Sequence, residues 1–97
     1  MAAGEGERRL GFVGIIVTDR GRVAPRVNEV LTAFGERIVA RMGLPYDRKN
    51  CSVITLIVDA TTDELGALTG RLGALPGVSV KSALGKGAAG KEAGGHG

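Results

Sequence analysis

The 97-residue sequence predicts one α+β domain with the element order βαββαβ, the ferredoxin-like arrangement. Three observations carry this. Two runs, at residues 9–17 and 52–58, are nearly all apolar and rich in β-branched side chains, as strands covered on both faces are. Two others, at 36–43 and 78–84, alternate, as edge strands with one covered face do. Between them lie two apolar stripes at helical spacing. In that topology the first and third strands are the inner pair of a four-stranded antiparallel sheet, and both helices share one face.

Taken in order, residues 1–8 are small, polar and Gly-containing, and predict a flexible arm before a domain spanning 9–84. The first strand reads Arg9-Leu10-Gly11-Phe12-Val13-Gly14-Ile15-Ile16-Val17. Its glycines weaken it unless a neighbour approaches closely there. Thr18-Asp19-Arg20-Gly21 ends it with turn chemistry. Val23, Val27, Val30, Leu31 and Phe34 then form one helical stripe. Pro25 has no N–H and suits a first turn, so the helix is expected to start no earlier than about Arg22. Gly35 suits its end.

Along 36–43, Ile38, Ala40 and Met42 are expected to face one way, and Arg37, Val39 and Arg41 the other, away from the helices. Residues 44–50 read as a polar connection holding Pro45. The inner run 52–60 leads into Thr61-Thr62-Asp63-Glu64, where Thr61 and Glu64 have capping-box spacing for a second helix. Leu65, Leu68, Leu72 and Leu75 supply its stripe, and Gly73, Pro76 and Gly77 terminate it. Val78, Val80, Ser82 and Leu84 alternate with Ser79, Lys81 and Ala83. The tail, 85–97, holds six Gly and three charges and predicts disorder.

Composition narrows the function classes. With 17 Gly, no Trp and 3% aromatics, a chain this short has a thin stability margin and gains from self-association. The net charge is +3, yet within 10–84 nine Lys/Arg are interspersed with seven Asp/Glu. That balance is too even for a DNA-binding surface. The single cysteine, Cys51, excludes an internal disulfide and fits a reducing cytoplasm. No apolar run spans a membrane, and the N-terminus has no signal-peptide h-region. With helices on one sheet face, the other holds one parity set of 10–17 together with Val53, Thr55 and Ile57. So apolar a face predicts a homodimer or higher homo-oligomer, with Arg37, Val39 and Arg41 as candidate interface or rim residues. Edge charges that block further strand pairing are the plainer reading of the two arginines.

Several segments resemble one family. They are Asp19-Arg20-Gly21-Arg22-Val23, Arg26-Val27-Asn28-Glu29-Val30-Leu31, Arg41-Met42-Gly43-Leu44-Pro45-Tyr46, and Leu56-Ile57-Val58-Asp59-Ala60-Thr61-Thr62-Asp63-Glu64. Leu68-Thr69-Gly70-Arg71-Leu72-Gly73 and Gly77-Val78-Ser79-Val80-Lys81-Ser82 continue it in register. Over about residues 9–84 the chain resembles the iron-only hydrogenase system regulators, small ACT-like proteins akin to the C-terminal domain of nickel-responsive regulators. The resemblance implies a regulatory role in an iron-only hydrogenase system. The nickel-responsive proteins add a ribbon-helix-helix DNA reader and a histidine-rich nickel site. This sequence has one His, in the tail, and no room for that reader, so neither DNA nor nickel binding is carried over.

In ACT-like modules the turn after the first strand lets a ligand approach the next helix. Asp19, Arg20, Gly21 and Arg22 are therefore the candidate ligand-binding residues, suited to a small amino acid or carboxylate at the helix N-terminus. The plainer reading is a strand-to-helix turn, with Gly21 present for its φ. Cys51 and His96 lack the further ligands a metal site needs. Asp59, Asp63 and Glu64 lack a nucleophile, base or oxyanion donor beside them. The sequence thus predicts a non-catalytic, cofactor-free regulatory module that self-associates and binds a small ligand at the subunit interface. The alternative is a ligand-free interaction subunit acting through its oligomer surface alone.

Overall fold

The computed structural model describes residues 6–18 and 20–86. Strand β1 is Arg9–Thr18, helix α1 Arg20–Ala33, β2 Ile38–Tyr46, β3 Cys51–Ala60, helix α2 Thr62–Gly73 and β4 Val78–Leu84. Single 3-10 turns, Gly35–Arg37 and Asp47–Lys49, flank β2. The sheet order is β2-β3-β1-β4, antiparallel throughout, so the two apolar runs are the inner pair. Edge strand β4 pairs Val17 with Val78 and Val13 with Ser82.

The core lies between the sheet and the two helices. Val13, Ile15 and Val17 of β1 and Leu56, Val58 and Ala60 of β3 supply its floor. Val23, Val27, Val30 and Leu31 of α1 and Leu65, Leu68 and Leu72 of α2 cover it. These are the helical stripes read from the spacing, with Phe34 and Leu75 half-buried at their ends. The Arg71 guanidinium sits 5.5 Å from the centre of the Phe34 ring and ties the end of α1 to α2. The capping box forms as the sequence predicts. Glu64 N–H donates to Thr61 Oγ1 at 3.1 Å, and Thr61 N–H donates to Glu64 Oε1 at 2.9 Å.

Four local expectations are corrected. Helix α1 begins at Arg20, so Pro25 stands in its second turn. Its missing N–H leaves the Gly21 carbonyl without a helical donor, but both residues face solvent, which can serve that oxygen. Gly21 is helical and is not a turn glycine; among the described glycines only Gly77 has a positive φ. Strand β2 runs through Leu44 and Pro45 to Tyr46 instead of stopping at Gly43. Proline is tolerated because β2 is an edge. Finally, a bulge between Ile38 and Ala40 reverses the parity of β2. Ile38 stands opposite buried Val58, whereas Ala40 and Met42 stand opposite Ile57 and Thr55 on the other face.

Candidate functional site

The register defines the sheet face that carries no helix. Directly opposite residues in an antiparallel pair project to the same side. From β1 the open face therefore carries Leu10, Phe12, Gly14 and Ile16, and from β3 Val53, Thr55, Ile57 and Asp59. Ser79, Lys81 and Ala83 extend it on β4, and Ala40, Met42, Leu44 and Tyr46 on β2. Eight large hydrophobic side chains are exposed among the described residues: Leu10, Phe12, Ile16, Val39, Met42, Leu44, Tyr46 and Ile57. All but Val39 are on this face, which makes it a continuous apolar patch and not scattered exposure. Its charges, Asp59 and Lys81, come from the end of β3 and from edge strand β4.

The structure separates the candidate interface residues. Val53, Thr55 and Ile57 are together on the open face. Arg37 and Arg41 are not there, contrary to the parity read from sequence. Arg41 stands opposite buried Leu56, and its Nη2 donates to Asn28 Oδ1 of α1 at 3.1 Å. Arg37 closes the 3-10 turn and pairs with Glu64 (Nε to Oε2, 3.7 Å) and Glu36 (3.6 Å). Arg41 belongs to the helix side because the bulge at Val39 shifts the alternation, whereas Arg37 precedes that bulge and is placed by the 3-10 turn. Met42, Leu44 and Tyr46 take their place, and the apolar alternation from Ala40 to Tyr46 was the signal that could have found them.

Glu64 is the electrostatic junction of the helix side. The Thr61 N–H it accepts holds its carboxyl below the ordinary glutamate range; Arg37 and Arg8 pull the same way, while burial opposes them. This is helix-capping chemistry, with no reacting group beside it. Among the described residues, no three of His, Cys, Asp and Glu gather where they could hold a metal ion.

Of the candidate ligand residues, Asp19 lies outside the described residues, as does His96 of the tail. Arg20 opens α1, and Gly21 lies exposed in its first turn. Arg22 lines a depression of about 380 Å³ with Arg26 of the same helix and with Thr18, Val23, Pro76 and Gly77. None of the described residues in its first turn is acidic, and Arg22 and Arg26 bring two cations to this mouth beside the helix N-terminus. Thr18 N–H and its hydroxyl both donate to the Gly77 carbonyl, at 2.8 and 3.0 Å, and fix the floor. A second cleft lies between α1 and β2, under the Arg41–Asn28 bond. Cys51 opens β3 as a buried residue.

Comparison with known proteins agrees with this architecture. The model of the TM1266-like family, described as "Iron-only hydrogenase system regulator, putative", matches residues 9–82. Among solved structures, the uncharacterized protein TM1266 from Thermotoga maritima is 39% identical, with a TM-score of 0.80 over 82% of this chain and 100% of that one. The ACT domain of GTP pyrophosphokinase from Chlorobium tepidum is 20% identical, with a TM-score of 0.68 over 78% of this chain and 99% of that one. The C-terminal domain of MgtC from Mycobacterium tuberculosis is 17% identical, with a TM-score of 0.55 over 91% and 96%. These last two share the fold alone. No curated protein sequence matches the chain.

Proposed function

Because the chain belongs to the TM1266-like family of iron-only hydrogenase system regulators, we propose that it works as a non-catalytic ACT-like regulatory module in the cytoplasm, self-associating through its open sheet face. One observation carries the reading: seven large apolar side chains share a face that no helix among the described residues covers. A second copy is the occupant that fits. The face is nearly uncharged at its centre and spans the inner strands and edge strand β2, which suits sheet-on-sheet packing. Burying it would add the apolar area that a 97-residue chain with little aromatic content lacks.

The signal to such a module would enter as a small carboxylate or amino acid at the mouth of α1, near Arg22 and Arg26. Without a ligand, the chain would act as an interaction subunit through its oligomer surface alone. Sedimentation equilibrium over a wide concentration range tests the assembly. A homodimer or larger species is expected, and a monomer at all concentrations removes the reading. A thermal-shift screen of amino acids and small carboxylates separates the two modes, since a ligand bound only to the native state raises Tm. No rise with any compound leaves the ligand-free mode.

A further inference from the structure

We infer that the cleft between α1 and the β2 edge is a binding site for a small branched aliphatic carboxylate. The cleft lies on the helix side of the sheet, so it stands or falls independently of assembly through the open face. Its volume is about 260 Å³, and Val17, Val27, Pro45 and Ile54 give it apolar walls. It opens to solvent at Asn28, Arg41, Gly43 and Pro45, which are exposed. Here the sequence leaves it open, because Ala24 of α1 and Gly43 of β2 are small. A Cβ built on Gly43 would meet nothing within 4 Å.

The polar end of the cleft is Arg41. Its guanidinium is held by Asn28 Oδ1, a neutral acceptor, and among the described residues it forms no ion pair. A guanidinium fixed by one Nη still presents donors in a planar fork, the geometry that matches two carboxylate oxygens. Asn28 accepts through Oδ1, which leaves its Nδ2 hydrogens to donate to the same anion. A cation at the rim with no ion pair among the described residues and an apolar-walled cleft together select a ligand with one carboxylate and a short branched chain. Isovalerate and leucine carry both features. Acetate lacks the chain, and isobutanol lacks the charge.

A heteronuclear NMR titration of the full chain with isovalerate tests this. The amides of Asn28, Arg41, Gly43 and Ile54 should shift together and saturate, with a Kd of about 1 mM or tighter. Acetate should bind at least about tenfold more weakly, because it leaves the apolar walls unfilled. Isobutanol should give no saturable shift. Arg41→Gln should weaken isovalerate about tenfold or more, as loss of a charged hydrogen-bonding partner does. Gly43→Val should abolish binding by filling the cleft, without lowering Tm, since it replaces a strand glycine with a β-branched residue in open space. Absence of a saturable shift, shifts confined to Gly21 and Arg22, or unchanged binding by Gly43→Val would each overturn the inference. Should Gly43→Val fail to fold, Arg41→Gln decides alone, because Arg41 is exposed and outside the core.

Discussion

Phe12 of β1 stands directly opposite Ile57 of β3, and both project away from the helices at the centre of the open face. Each is about half exposed, at 60% and 47%, although each belongs to an inner strand. Lysine at either position would place an unpaired charge in the middle of the proposed interface, and a two-fold contact would count it twice. Ile57→Lys and Phe12→Lys should each weaken self-association by about a hundredfold or more, and yield monomers by sedimentation equilibrium. Far-UV circular dichroism should be unchanged, since neither side chain touches the core.

The neighbouring residue tests the other face. Leu56 is fully buried beneath both helices, one position from Ile57. Leu56→Ala should cost about 2–5 kcal/mol in urea denaturation, because the lost methyl groups leave a cavity. For a small domain whose total stability is about 5–15 kcal/mol, that is a large share. Ile57→Ala should cost far less in the isolated monomer. If the two variants were equally destabilised in a monomeric background, the assignment of faces would be wrong.

Glu64 predicts how stability responds to acid. Its folded pKa lies below the ordinary value because it accepts Thr61 N–H, with Arg37 and Arg8 adding to the effect. As pH falls, the unfolded chain takes up this proton first, near about 4.3. The stabilisation is therefore complete above that pH and is lost as pH drops toward the lower, folded value. Urea midpoints for the wild type should fall across this window. Glu64→Gln keeps an acceptor for Thr61 N–H but has no proton to bind, so its midpoint should fall less steeply over the same range. Thr61→Ala, measured at neutral pH, should cost about 1 kcal/mol through loss of the cap.

Periodicity was enough for the layers and poor for the edge. Val23, Val27, Val30 and Leu31 recur at helical spacing because a helix must bury one stripe, and that constraint survives in any sequence. The inner strands are equally constrained, and their parity assigned Val53, Thr55 and Ile57 to the open face. Edge strand β2 carries no such constraint, since beyond Ile38 it buries almost nothing. One inserted residue at Val39 was enough to reverse every later side chain, and Arg41 moved from the rim of the open face to the helix side. The α1–β2 cleft was not legible for the same reason. Gly43 and Asn28 are 15 positions apart, and only the bulged register brings their elements together.

Gly77 is a backbone position at which a single methyl group should matter. Its φ of +76° lies in the left-handed region, where an L side chain is strained. A Cβ there would also sit 2.7 Å from Thr18 Oγ1 and 3.2 Å from the Thr18 carbonyl oxygen. The hydroxyl can rotate away, but only by giving up its bond to the Gly77 carbonyl, and the backbone oxygen cannot move without disturbing the end of β1. Gly77→Ala should therefore cost about 1–3 kcal/mol. Thr18→Val removes the hydroxyl bond but leaves the 2.8 Å bond from Thr18 N–H to the Gly77 carbonyl, and should cost no more than about 1 kcal/mol. Adding Thr18→Val to Gly77→Ala should recover little, because the strain is in the backbone of Gly77 and in its approach to the Thr18 carbonyl. Full recovery in the double variant, read from urea midpoints, would show that the hydroxyl contact is the cause.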